Sequence, residues 1–293
     1  MSATPLTAPP PPESVPSPET AAAAEADAAL AAASLDSPIK APTYTGPAGK
    51  PSAVLGAAPS GRQFRLELMP YGILGTRMPA AGVRPAPIVM HTEPDTDTVF
   101  VDAAGLHHVQ GLAKRGPAGA AKAVYDFVGG VIDPLSGCAR LPDPVKAAVT
   151  QDGDAKLHTY TPPASRGTYH VIHAVGPNFV PPGWPMKKSF PKPTAAEFAA
   201  AVPALGVAYT NTLREFARSP FHSLRLLPLS SGIFAGPMES RIVELTRRAL
   251  EAGFAGLSAG DQEALVAANR RLHMCVFMES EYDAFAQGLC DSA

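Results

Sequence analysis

The chain has 293 residues, 46% hydrophobic and 17% charged, enough for one good-sized core plus unstructured sequence. Its formal net charge of -2 leaves no basic footprint for duplex DNA or an anionic membrane surface. Cys138, Cys275 and Cys290 have neither metal-ligand nor redox spacing, so they read as reduced thiols, and no structural zinc or disulfide framework is expected.

Residues 1–60 form a zone of their own. They hold twelve of the 33 prolines and the Ala-rich tract Ala21 to Ala33, and Tyr44 is their sole aromatic, so they cannot build a core. A disordered, mildly acidic arm is expected there, with the globular domain over 61–293. The N-terminus lacks a basic segment followed by an apolar one, and Glu25 and Asp27 interrupt the Ala tract, which argues against secretion and membrane spanning. Asp291 spoils the Cys290 to Ala293 ending as a prenylation box. The expectation is a soluble cytoplasmic protein, with a nuclear location left open.

Beyond the arm, Phe64, Leu66 and Leu68 alternate with polar residues before Pro70, the pattern of a half-buried or edge strand. Ile88 to His91 and Val99 to Val101 are short apolar runs split by the turn-rich Glu93 to Asp97. Ala118 to Val128 reads as a helix with Ala123 and Phe127 on one face, ending at Gly129 and Gly130. Thr168 to Val175 is a strand. Thr194 and Glu197 form a capping box, and Pro203 should restart or kink the helix that they open. Leu205, Tyr209, Thr212 and Phe216 then share a face.

Ser223 to Leu229 is the next strand. Pro237 suits the first turn of a helix that turns Ile242, Leu245 and Ala249 inward and stops at Gly253. Ser258 to Asp261 starts another short helix, and Leu272 to Met278 is a buried strand. Strands interleaved with helices imply an α/β fold, a mostly parallel sheet with helices on both faces. The loops after Val101, Val175, Leu229 and Met278 then emerge at one sheet edge, where such folds bind ligands.

Two segments stand out chemically. Leu226-Leu227-Pro228-Leu229-Ser230-Ser231-Gly232-Ile233-Phe234-Ala235-Gly236 and Thr168-Tyr169-His170-Val171-Ile172-His173-Ala174-Val175-Gly176-Pro177-Asn178-Phe179 are apolar runs that end in side-chain-poor loops. Such loops let main-chain N–H groups converge on a diphosphate. A tight strand-to-helix turn with Phe234 in the core is the plainer reading of the first.

Together the two segments resemble the macro domain, an ADP-ribose-binding module, and are closest in flavour to alphavirus-type viral macro domains. The resemblance is divergent, runs over roughly residues 85 to 288 and is strongest over 98–280. It implies a three-layer α/β/α fold with a mixed, mostly parallel sheet of six or more strands. It also implies ligand contacts at Ala103, Ala104, Gly116, Gly119, Ala120, Gly176, Pro177, Ser231, Gly232, Ile233, Phe234 and Ala235, with Phe234 beside the distal ribose. Gly116-Pro117-Ala118-Gly119-Ala120-Ala121-Lys122-Ala123-Val124-Tyr125 is similar to the family's other phosphate loop. Pro117 removes a donor there, and Ala118 stands where the viral pattern often has Asp.

Val101-Asp102-Ala103-Ala104-Gly105 resembles the family's Asn-Ala-Ala-Asn strand end, with both asparagines replaced. The second of these is tied to hydrolysis in active members, so the enzymatic expectation is open. Asp102 is the candidate general base on a water, helped by His107 or His108, against the plainer reading of a structural Asp. For adenine, the resemblance implies an acid before that strand, Glu93 or Asp95, and Phe277 under the ring. Solvated turn acids and core packing are the alternatives. His170 and His173 point to opposite strand faces, so no metal is expected, and no cofactor either.

The leading function is therefore binding of ADP-ribose or a mono-ADP-ribosylated protein. The alternatives are a mono-ADP-ribosyl hydrolase and a degenerate macro fold that binds protein or RNA through Lys114, Arg115 and Lys122.

Overall fold

Residues 51–77, 89–90, 95–161, 167–184, 189–267 and 270–290 are described by the computed structural model, an α/β architecture built on a seven-stranded sheet. The strands are β1 (Ser52–Ala57), β2 (Gln63–Met69), β3 (Thr76–Arg77), β4 (Val89–Met90), β5 (Thr98–Ala103), β6 (Ala155–Tyr160), β7 (Tyr169–Ala174), β8 (Ser223–Leu226) and β9 (Arg271–Cys275). The main sheet runs β1-β2-β9-β8-β5-β7-β6, and β3 pairs with β4 separately. The inner pairings β2–β9, β9–β8, β8–β5 and β5–β7 are parallel, while the outer strands β1 and β6 are antiparallel to their neighbours. The sheet is mixed and mostly parallel, as expected.

The helices are α1 (Leu106–Val109), α2 (Gly119–Val128), α3 (Asp143–Ala148), α4 (Ala195–Ala217), α5 (Ile242–Ala255), α6 (Ala259–Ala267) and α7 (Glu279–Cys290). Strand alternation sorts side chains into two layers. Val99, Val101, Ile172 and Ala174 share a core with Leu205, Tyr209, Leu213 and Phe216 of α4 and with Leu245, Ala249 and Leu250 of α5. Phe100, Val171 and Val175 face the other way, onto Val124, Tyr125 and Val128 of α2 and Val145 of α3. With both faces covered, β5 reads as the continuous apolar run typical of a central parallel strand.

Several expectations shift. β1 lies inside the stretch assigned to the arm, so the sheet begins before residue 61; its small residues, between Pro51 and Pro59, gave little signal, although Ala53 and Leu55 are buried. β2 is an interior strand rather than an edge. The buried stripe of α2 is Val124, Tyr125 and Val128, beside the expected Ala123 and Phe127.

The capping box forms in full, with Thr194 Oγ1 accepting from Glu197 N at 3.2 Å and Glu197 Oε2 accepting from Thr194 N at 2.7 Å. Pro203 does not restart the helix. It sits on the exposed side of a 23-residue helix whose buried face outweighs the missing hydrogen bond. α5 also continues past Gly253, which serves its crossing with α4: a Cβ there would lie 2.8 Å from Tyr209 Cβ. Among the described residues no helix is long and apolar enough to cross a membrane.

Candidate binding cleft

Because the inner strands are parallel, the loops after β2, β5, β7, β8 and β9 leave the same edge of the sheet. The β7 and β8 loops are fastened to each other there. A Cβ on Gly176 would lie 2.2 Å from Ser230 Oγ, and one on Gly236 would lie 2.5 Å from the Phe179 carbonyl oxygen. Phe179 N donates to the Phe234 carbonyl at 3.0 Å. The β5 loop closes on the same point, for a Cβ on Gly105 would meet His108 Cδ2 at 3.4 Å and Phe234 Cζ at 3.5 Å. Glycine is required at Gly176 and Gly236, where a side chain would wedge the two loops apart, whereas the Gly105 approach is ordinary van der Waals contact.

Beside this junction lies a cleft of about 710 Å³. It is lined by Ser231, Gly232 and Ala235, by Ala120 from the first turn of α2, and by Gly72, Ile73, Cys275, Val276 and Phe277. Gly119 has φ +57° and the N-cap, Ala118, makes no side-chain cap, so the amides of the first turn of α2 have no side-chain acceptor at that position. Gly116 packs under Gly137, where a Cβ would lie 2.6 Å from the carbonyl oxygen. Further along the cleft are Glu239, Glu244 and Glu281, with one guanidinium, Arg241, whose Nη2 is 2.7 Å from Glu244 Oε2.

The structure brings Ala120, Ser231, Gly232, Ala235 and Phe277 to this cleft and sets Gly176 against its loop. Pro177 follows Gly176 and is half-buried, Phe234 is half-buried over Gly105, and Ile233 is turned outward at 76% exposure. Ala103 is half-buried. Ala104 is buried, and its N–H is already committed to the carbonyls of Asp102 and Ala174, so it is not a spare donor. His107 is exposed, while His108 is the imidazole that reaches Gly105.

Asp102 does not face the cleft. It is fully buried, its Oδ2 accepts from Tyr125 OH at 2.6 Å and lies 2.8 Å from His173 Nδ1, and Tyr160 OH is 2.7 Å from His173 Nε2. Burial and the Asp102 charge push both phenols well above their usual pKa, so they remain donors. A consistent hydrogen-bond pattern has His173 Nδ1–H donating to Asp102 and Nε2 accepting from Tyr160. A water in the cleft has no access to this carboxylate, which corrects the expectation of a general base. The spacing along the strand could not reveal which way Asp102 points.

Asp95 is corrected too. Its Oδ1 accepts from Asp97 N at 3.0 Å and Thr98 Oγ1 at 2.7 Å, in the turn where β5 enters the sheet, at the edge opposite the cleft. A parallel strand presents its ends to opposite edges, and Asp95 precedes the strand. Glu93 lies outside the described residues. His170 stacks on Phe221 with centroids 3.7 Å apart, on the face opposite His173, and no group of three or more potential metal ligands occurs among the described residues.

Sequence reasoning missed the Gly72–Ile73 turn and the α7 wall. The available signal was β2 itself, whose parallel pairing with β9 sends residues 71–73 to this edge. Ser230 carries strain, with φ 56° and a buried Oγ that has no partner. Ser230→Gly should therefore stabilise the fold by about 1 kcal/mol, visible as a higher melting temperature. An unchanged or lower melting temperature would show that Ser230 is relaxed.

No family model matches the chain, and no curated protein matches it. It is similar to solved macrodomain structures. That of the Oceanobacillus iheyensis macrodomain with ADP is 15% identical, with 77% of this chain and 90% of that one covered and a TM-score of 0.44. The Trypanosoma brucei macrodomain in complex with ADP-ribose is 19% identical over 76% of this chain and 68% of that one, with a TM-score of 0.37. The likeness is remote in both sequence and backbone superposition, so the functional reading rests on the cleft.

Proposed function

We propose that the chain binds ADP-ribose, free or as a mono-ADP-ribosyl mark on protein, in the cleft beside the fastened β7 and β8 loops. The observation that supports this best is the contact of Gly176 with the Ser230 loop, which sets the small residues Ser231, Gly232 and Ala235 along the cleft that the uncapped start of α2 also lines. A diphosphate needs such side-chain-poor main chain and the positive end of a helix. The volume of about 710 Å³ is within the usual range for small-molecule sites. Among the other lining residues, Phe277 offers an aromatic face, and Glu239 and Glu281 are carboxylates able to accept from an exocyclic amine.

Hydrolysis is less well supported, because Asp102, the base that would direct water at the anomeric carbon of the distal ribose, is locked to Tyr125 and His173. An RNA-binding reading has little charge to draw on, since Lys122 Nζ is paired with Asp126 Oδ2 at 2.6 Å.

Titration calorimetry with ADP-ribose tests the reading. Saturable heat with a dissociation constant in the micromolar range is expected, and no heat at millimolar ligand would end it. Incubation with a mono-ADP-ribosylated protein should leave the label in place; its release would make the chain a hydrolase.

A further inference from the structure

The cleft wall hides a cation. Arg225, on β8, is 4% exposed and lies in a row across the sheet between Phe100 and His273. Its Nη1 donates to the carbonyl of Ile73 at 3.2 Å, and its guanidinium carbon lies 5.5 Å from the centroid of Tyr71 and 6.0 Å from that of Phe100. Its Nε is buried without a partner, and among the described residues no carboxylate pairs with it. Glu67 is in the same row but two strands away, and its Oε2 faces His273 Nε2 at 3.6 Å.

An uncompensated buried guanidinium is costly, and one carbonyl and two ring faces repay little of that cost. Replacing such a group by an apolar one of similar volume is often neutral or stabilising. A residue that lowers stability where it sits is a candidate for function. Its location gives the function a direction. Ile73 and Cys275 both line the cleft, and Arg225 is bonded to the first. The cleft surface itself carries Glu239, Glu244 and Glu281 against a single, already paired arginine, so a dianion entering it meets mostly like charge. A cation one layer behind the wall, shielded from water, offsets that repulsion through the low-dielectric interior.

We propose that Arg225 is an electrostatic determinant of the cleft, a buried positive charge that selects ligands carrying a diphosphate without touching them. The proposal rests on the reading of the cleft as a diphosphate site.

The test compares the full chain with Arg225→Met and Arg225→Lys, using calorimetry with ADP-ribose and with inorganic pyrophosphate, and thermal denaturation without ligand. Arg225→Met should weaken ADP-ribose and pyrophosphate by about tenfold or more, and Arg225→Lys, which keeps the charge, should recover part of that loss. The melting temperature of Arg225→Met should equal or exceed that of the parent. Unchanged affinity in Arg225→Met, equal losses in the Met and Lys variants, or a lower melting temperature for Met would each overturn the proposal. A parent chain that binds pyrophosphate through Arg225 but ignores ADP-ribose would refute the proposed function and leave this inference standing, whereas a parent that binds neither refutes both.

Discussion

Asp102→Ala should destabilise the fold by about 3–5 kcal/mol, as removal of one member of a buried charged hydrogen-bond network does. In this protein the loss strands Tyr125 OH and His173 Nδ1 in a region where Asp102 and His173 have no exposed surface. The effect then spreads to Tyr160, whose hydroxyl is held by the other nitrogen of His173. Asp102→Asn should cost less than Ala, because Tyr125 OH and His173 Nδ1 share the single oxygen Oδ2, which an amide oxygen can replace, and the amide NH2 then takes the place of Oδ1, which has no partner. Urea unfolding of the two variants measures both changes. A stable, well-folded Asp102→Ala would mean that the network contributes nothing and that the residue should be reconsidered as chemistry rather than architecture.

Gly176→Val is expected to cost about 1–3 kcal/mol of stability and to weaken ADP-ribose binding at least about tenfold. The first added carbon already falls 2.2 Å from Ser230 Oγ and 3.2 Å from Ser230 N, so the β8 loop must retreat before the rest of the valine is placed. That retreat pulls Ser231 and Gly232 from their positions along the cleft. Gly61→Val is the natural control, since Gly61 also has a special conformation, φ +80°, but nothing lies within 4 Å of its Cβ position. It should lose stability through backbone strain alone and bind normally. Equal affinity in the two variants would separate the Gly176 contact from ligand recognition.

How far the sequence could be read depended on whether the signal was local. The capping box at Thr194, the alternation of Phe64, Leu66 and Leu68, and the apolar runs at Thr168 to Val175 and Leu272 to Met278 are written in neighbouring residues, and each marks an element that forms. The short strand β1 was lost in a stretch of small residues next to the Pro-rich segment, and β6 and α3 were not picked out at all. Ala155 to Tyr160 is an outer strand of mixed polarity, with none of the strong alternation that marks β2.

At the junction beside the cleft, Gly176 and Gly236 stood out in the sequence because close approach of main chain demands glycine there. The direction of Asp102 did not, since it depends on Tyr125 and His173, 23 and 71 residues away in the chain. Asp95 was misplaced for a related reason: whether a turn lies at the entrance or the exit of a parallel strand is a matter of topology, and its own composition is the same in either case.

The bond between Phe179 N and the Phe234 carbonyl ties the β7 loop to the β8 loop that lines the cleft before anything arrives. Freezing of these segments is thus completed when the chain folds, and an incoming molecule has that much less disorder to suppress. Tight capture by so small a set of donors becomes feasible for that reason, with the entropy already surrendered at folding.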